Sequence, residues 1–155
     1  GHIKAKGDQY MDWLFRIFKP GVDRRFRTLP QREHTYICGS SMGGLMSIYA
    51  ICRYNHVFSR AAALSPSLWV ASGKIVQMIR ECAMGEDTII YMDYGSEEMK
   101  NHRQIQEALK HAAGAFLDRQ VNICMRIVPG GQHCEASWEK QIPVFMKCLQ
   151  IGAER

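Results

Sequence analysis

The stretch Tyr36-Ile37-Cys38-Gly39-Ser40-Ser41-Met42-Gly43-Gly44-Leu45 limits what this chain can fold into more than any other, because an apolar run breaks there into Gly-x-Ser-x-Gly and then into helical spacing. His34 to Cys38 has the β-branched and aromatic content of a strand, and Leu45, Ile48, Tyr49 and Cys52 recur at helical intervals. A serine between such a strand and helix sits on a sharp, strained bend that lifts its hydroxyl above the sheet. Gly39 and Gly43 remove side chains that would collide where the two elements approach. The amide N–H of Met42 opens the helix, where orphan donors and the helix dipole favour a developing oxyanion. Ser41 therefore reads as a nucleophile and the Met42 N–H as an oxyanion donor. A glycine-rich turn that only packs a helix on a sheet would look the same in isolation, so the choice rests on the rest of the chain.

Around this turn, apolar periodicity alternates between two kinds of element. Tyr10, Trp13, Leu14, Ile17 and Phe18 follow the i, i+3, i+4 rule, which predicts an amphipathic helix stopped by Lys19-Pro20-Gly21. Val57 to Leu64 predicts a strand running into a Ser65-Pro66-Ser67-Leu68-Trp69 loop. Gly73 to Met84 predicts a helix closed by Gly85 as C-cap. Thr88 to Met92 predicts a strand ending at Asp93-Tyr94-Gly95-Ser96-Glu97-Glu98, and Glu98 to Leu117 a long helix. Val121, Ile123, Met125 and Ile127 alternate with Asn122, Cys124 and Arg126, the pattern of a strand near a sheet edge. After Pro129-Gly130-Gly131 comes a last helix with Trp138, Ile142, Phe145, Met146 and Leu149 inward, kinked or divided at Pro143. Helix and strand alternate throughout, so the expected class is α/β, an α/β-hydrolase-like parallel sheet with helices on both faces.

At 155 residues, 46% of them hydrophobic, the expectation is a single α/β-hydrolase domain over 1–155 with one sizeable core. The net charge of +5 is mild, and its one basic cluster, Arg24, Arg25 and Arg27, reads as a solvated loop rather than a nucleic-acid patch. No charged residue lies between Glu33 and Arg53, yet three glycines and three serines fall inside that interval, which argues for a buried strand and helix over a membrane span. Six cysteines without C-x-x-C pairing fit free thiols in a reducing compartment, hence a cytoplasmic location. No signal-peptide pattern stands at the start, which lacks an initiator Met, and the natural N-terminus is expected to lie outside this stretch.

In parallel sheets functional groups collect in loops after the carboxyl ends of strands. Three such loops carry Ser41, the acids Asp93, Glu97 and Glu98, and His133, in the order serine, acid, histidine expected of an α/β hydrolase. An alcohol needs a base within reach, and a histidine can both take the proton and return it to the leaving group. An acid on its other nitrogen fixes the tautomer and stabilises the imidazolium. His133, in a glycine-rich loop at a strand end, is the candidate base, whereas His2, His34, His56, His102 and His111 read as solvated. The residues alone leave the acid open among Asp93, Glu97 and Glu98.

Gly39-Ser40-Ser41-Met42-Gly43-Gly44-Leu45, Phe58 through Ser65-Pro66-Ser67 and Trp69, Asp93 through Glu98, and Gly130-Gly131-Gln132-His133-Cys134-Glu135 with Trp138 together resemble the Putative esterase family of α/β hydrolases. That family includes esterase D, feruloyl and acetyl xylan esterases, enterochelin esterases and mycolyltransferases. The resemblance runs from about Tyr10 onward and implies Ser41 as nucleophile, His133 as base and Glu98 as acid, at a place where the family often has Asp. It implies a serine carboxylesterase acting on a small-molecule ester through an acyl-enzyme on Ser41, with an acyltransferase using the same triad, or a non-catalytic binding domain, as alternatives. No metal or organic cofactor, nucleic acid or membrane is implied. Family members carry strands before the nucleophile strand, and one of their loops supplies the second oxyanion N–H. By the resemblance this stretch is the C-terminal portion of such a hydrolase, its Ser41 strand an open edge covered by an N-terminal segment or by a second copy in a homo-oligomer. With only one oxyanion donor of its own, the stretch is expected to hydrolyse esters weakly, by roughly 10²- to 10³-fold.

Overall fold

Strands β1 (Tyr36–Ser40), β2 (Arg60–Leu64), β3 (Ile89–Gly95) and β4 (Asn122–Val128) form one parallel sheet in that order in the computed structural model, which describes residues 6–98 and 103–152. The intervening helices are α3 (Met42–Arg53), α4 (Ser72–Glu81) and α5 (Arg103–Asp118). Each crossover steps to the next strand in the same direction, and the right-handedness of such crossovers sends all three helices to one face. Their core cluster contains Ile48, Ile51, Ile75, Ile79, Leu109 and Phe116, against Ala61, Ala63, Ile90 and Met92. The alternate residues Ala62, Leu64 and Tyr91 point to the other face, where Phe145 and Leu149 cover them. Helices α6 (Glu135–Glu139) and α7 (Ile142–Cys148) bring those two residues into place. The sheet is thus apolar on both sides, as a parallel sheet with helices on both faces requires.

Register explains where chemistry can gather. Ser40 pairs with Leu64 and Leu64 with Asp93, so the chain leaves β1 and β2 at the same level as the end of β3. The loops carrying Ser41, Ser65 and the acids therefore open on one edge.

Several expected boundaries move. The first helix does not stop at Pro20: α1 (Gly7–Trp13) runs through a π-helical turn, Leu14–Phe18, into α2 (Lys19–Arg25). Proline lacks an N–H and crowds the carbonyl four residues back, and the widened turn just before it makes room. Arg24 and Arg25 accordingly end a helix rather than lie in a loop. Met11 is the buried residue of this helix and Leu14 packs beside it, while Tyr10 and Ile17 are 52% and 63% exposed. Strand β2 begins at Arg60, three residues later than Val57, because Val57 and Phe58 close a turn onto the Tyr54 carbonyl. Helix α4 ends at Glu81, and Gly85 is not its cap; its N–H donates instead to Asn55 Oδ1 at 2.8 Å. Strand β3 runs on to Gly95, so Asp93 lies inside the sheet. The expected start of the α5 helix at Glu98 passes into residues outside the described ones; α5 is seen from Arg103.

Strand β4 is a sheet edge as its pattern implied, but Met125 and Ile127 are exposed, while Cys124 packs toward α7 and Arg126 donates to Gln141. Pro143 sits in the first turn of α7, dividing it from α6, where a missing N–H costs nothing. All six cysteines are free, Cys52 buried and Cys38 exposed. Among the described residues no helix is long and apolar enough to cross a membrane.

Candidate active site

Ser41 occupies the bend between β1 and α3 with φ 55° and ψ −118°, a conformation that costs a side-chain-bearing residue free energy. The surroundings hold it there. Its N–H donates to the Leu64 carbonyl at 2.9 Å, and its own carbonyl accepts from the N–H groups of Leu45 and Ser67, both at 3.1 Å. The bend can be this tight because Gly39 has no Cβ: one placed there would lie 2.5 Å from the carbonyl carbon and oxygen of Gly43. Gly43, by contrast, faces open space, and it is Gly44 that lets α3 rest against the Leu64 carbonyl and Pro66. Met42 begins α3, so its N–H is among the unpaired donors at the helix start.

The histidine and acid loops are stitched to each other by backbone. The Ser96 N–H donates to the Val128 carbonyl at 2.9 Å and the Glu97 N–H to the Gly131 carbonyl at 3.0 Å, while the Gly130 N–H donates to Ser96 Oγ at 2.8 Å. Gly130 adopts φ 68°, which glycine takes without strain. Gly95 and Gly131 meet so closely that a Cβ on Gly95 would stand 2.2 Å from the Gly131 carbonyl oxygen and 2.8 Å from Glu98 Oε1. Gly95→Ala is therefore expected to push the two loops apart. Thermal unfolding should report a loss of about 1–3 kcal/mol or more, together with a parallel loss of Ser41 reactivity toward a serine-directed probe.

These contacts bring Ser41, His133 and Glu98 into one line. His133 Nε2 is 2.9 Å from Ser41 Oγ, and His133 Nδ1 is 2.6 Å from Glu98 Oε2. Glu98 Oε1 accepts from the Gly95 N–H at 2.9 Å and from Ser65 Oγ at 2.7 Å. The carboxylate side chain is 5% exposed and the imidazole 48%, so the acid is covered while the base faces the outside. With Glu98 accepting at Oε2, Nδ1 carries the proton and Nε2 is free to accept from the serine, the polarity a general base needs.

The other two candidate acids go elsewhere. Asp93 is 1% exposed on β3, its Oδ2 accepting from the Tyr91 hydroxyl at 2.8 Å and its Oδ1 from the Ser65 N–H at 3.1 Å. Burial pushes its carboxyl above the usual range, partly offset by those two hydrogen bonds. Glu97 is exposed, and its backbone serves the loop contact with Gly131. Neither reaches His133. The residues that motif spacing did not single out are Ser65, Ser67 and Trp138. Ser67 is buried with its Oγ 3.5 Å from Ser41 Oγ, and Trp138 donates its indole N–H to Ser65 Oγ at 2.9 Å. All three stand among the residues that carry the family resemblance, which gave them no role, and the place of Ser65-Pro66-Ser67 after the carboxyl end of β2 was a further signal for the two serines. Trp69, beside this loop, is 54% exposed.

Among the described residues no group of His, Cys, Asp and Glu is arranged to hold a metal ion. What the line of hydroxyl, imidazole and carboxylate can do is activate an alcohol for attack on an electrophilic carbon and return the proton to a departing group.

Comparisons with known proteins bear on the family and the fold. The uncharacterized protein YbbA of Bacillus subtilis (strain 168) is 25% identical over 155 residues, covering 93% of this chain and 59% of YbbA. A ferulic acid esterase structure superposes with TM-score 0.74 at 17% identity, over 92% of this chain and 61% of that one. The enterobactin esterase FES from Shigella flexneri, solved with 2,3-di-hydroxy-N-benzoyl-glycine, gives TM-score 0.72 at 21% identity, over 90% of this chain and 36% of FES. The chain thus spans about three fifths or less of these relatives' lengths. The family model described as Putative esterase matches residues 2–147, and this chain belongs to that family.

Proposed function

We propose that this chain carries the nucleophile, base and acid of a serine carboxylesterase. The observation that carries the reading is the unbroken hydrogen-bonded line from Ser41 Oγ through His133 to Glu98. Ser41 Oγ attacks the ester carbonyl carbon as its proton passes to His133 Nε2. The Met42 N–H, at the start of α3, holds the developing oxyanion. Collapse expels the alcohol, which takes the proton from His133, and leaves an acyl group on Ser41. Water then attacks that acyl carbon, giving its proton to His133, and the acid departs as Ser41 recovers its proton. Glu98 holds the Nδ1 proton throughout and stabilises the imidazolium. The test is intact-mass analysis after treatment with a fluorophosphonate probe, with a single adduct expected. Absence of an adduct under conditions where the chain is folded would remove the reading.

The free cysteines favour a reducing compartment, and we place the protein in the cytoplasm on that ground. The outer edge of β1 is a pairing edge in this proposal. Among the described residues β1 pairs only with β2, and a groove of about 540 Å³ lined by Tyr10, Leu14, Phe18, Ile37, Met42 and Met46 runs beside it. Such an edge invites another strand. Since the relatives are longer, the occupant we assign is a strand from the part of such a hydrolase that this chain does not span. Without it the chain is expected to self-associate as concentration rises in sedimentation experiments. A monomer at high concentration whose β1 amides exchange rapidly would contradict the assignment.

A further inference from the structure

We propose that Trp138 and Ser65 are positioning residues that together hold the Glu98–His133 pair in its productive orientation. This rests on the esterase reading only for its reactivity arm. Two contacts converge on Trp138. Its indole ring stands edge-on to the His133 imidazole, with centroids 4.9 Å apart and planes at 84°. Its Nε1–H donates to Ser65 Oγ at 2.9 Å, and Ser65 Oγ donates in turn to Glu98 Oε1 at 2.7 Å. One side chain therefore grips the base directly and the acid through a single hydroxyl.

The donor inventory gives this chain a direction. An indole nitrogen can only donate, so Ser65 Oγ accepts from it, and the single hydroxyl proton is left for Glu98. The backbone N–H of Gly95 can also only donate, and it points at the same Oε1 at 2.9 Å. With Oε1 receiving two donors, the carboxyl is held as an acceptor and cannot turn about its axis without breaking both. Oε2 then accepts from His133 Nδ1–H, and the lone pair of Nε2 faces Ser41. The tautomer at the reacting end is thus set from a donor on α6.

Ser65 is built for this. It is 1% exposed and has φ 43°, a left-handed backbone unusual for serine. Its N–H is held by both the carbonyl and the Oδ1 of Asp93, at 3.0 and 3.1 Å. Asp93 lies one strand over and is itself anchored by the Tyr91 hydroxyl. This gives the buried Asp93 a use: it clamps the bend that aims the Ser65 hydroxyl at Glu98.

Ser65→Gly separates positioning from folding, because glycine removes the hydroxyl and relieves the positive φ. Trp138→Phe keeps an aromatic edge on His133 but removes the N–H. The readouts are the low-field proton resonance of His133 Nδ1–H, the rate and affinity constants for fluorophosphonate labelling, and Tm. For Ser65→Gly we expect a nearly unchanged Tm, the relieved positive φ offsetting the two lost hydrogen bonds, a shifted or broadened Nδ1–H resonance, and a maximal labelling rate lower by about tenfold to a hundredfold, the effect of a hydrogen bond to a charged group. Affinity for the probe should stay within about twofold, since neither residue is assigned a contact with it. Trp138→Phe should move the same readouts in the same direction by less. An unperturbed Nδ1–H resonance in both variants overturns the proposal, whatever the labelling rate. A rate loss that tracks a loss of Tm in Ser65→Gly overturns it too, by making the role structural. If the unsubstituted chain fails to label, the esterase reading fails, while the resonance arm still decides the positioning role.

Discussion

On the proposed mechanism, Ser41→Ala should reduce ester turnover by about 10⁶-fold, to what binding and the oxyanion donor alone provide, because members of a serine triad act as a unit. The fluorophosphonate adduct should vanish completely. The substitution is mild for the fold: among the described residues the hydrogen-bond partners of Ser41 Oγ are His133 Nε2 and, at 3.5 Å, Ser67 Oγ, and the backbone bonds that clamp the bend do not involve the side chain. Alanine still has to adopt φ 55°, so a small loss of stability is expected alongside an unchanged sheet. Retention of the adduct at another residue, or of turnover within a hundredfold, would show that Ser41 is not the nucleophile.

Glu98→Gln is expected to cost about 10⁴-fold in turnover with little change in substrate affinity. The glutamine carbonyl oxygen will take the Oε1 place, where the Gly95 N–H and Ser65 hydroxyl both donate. Its NH₂ group then faces His133 Nδ1, which must become an acceptor. The ring proton moves to Nε2, and the base can no longer receive the Ser41 proton. Asp93→Asn should leave the Ser41–His133 pair in place, since Asp93 is committed to Tyr91 and Ser65. If Asp93→Asn proved as damaging as Glu98→Gln, Glu98 would lose its place as the acid.

Much of the fold was legible because it depends on neighbours in sequence. The apolar run before Gly39, the helical spacing after Gly44 and the strand at Thr88 to Met92 need only local patterning, and each lies near its expected place. Pro143 read correctly as a divider between α6 and α7, whereas Pro20 did not stop its helix. The difference is the turn ahead of Pro20, which widens to π geometry, an adjustment that residue preference does not encode. The face of the first helix was misjudged for a related reason. Its aromatic residues lie beside the open edge of β1, so an apolar stripe there remains exposed in this chain.

For the site, the sequence alone determined that a serine would sit on a strained strand-to-helix bend, with acids and a histidine following on the same edge of a parallel sheet. That follows from the spacing of Gly39, Ser41 and Gly43 and from the alternation of elements, both short-range properties. Which acid would meet the histidine was open from the residues alone, and only the family resemblance pointed to Glu98. Asp93, Glu97 and Glu98 lie within six positions of one another, and their separation depends on where β3 ends and how the chain turns at Gly95. Only the tertiary structure decided this, because the contacts that select Glu98 join residues 35 and 33 positions apart, and the one to Ser41 spans 92. The part of Trp138 belongs to the same class: its indole reaches Ser65 across 73 positions, a meeting that exists only once α6 has folded back over the sheet.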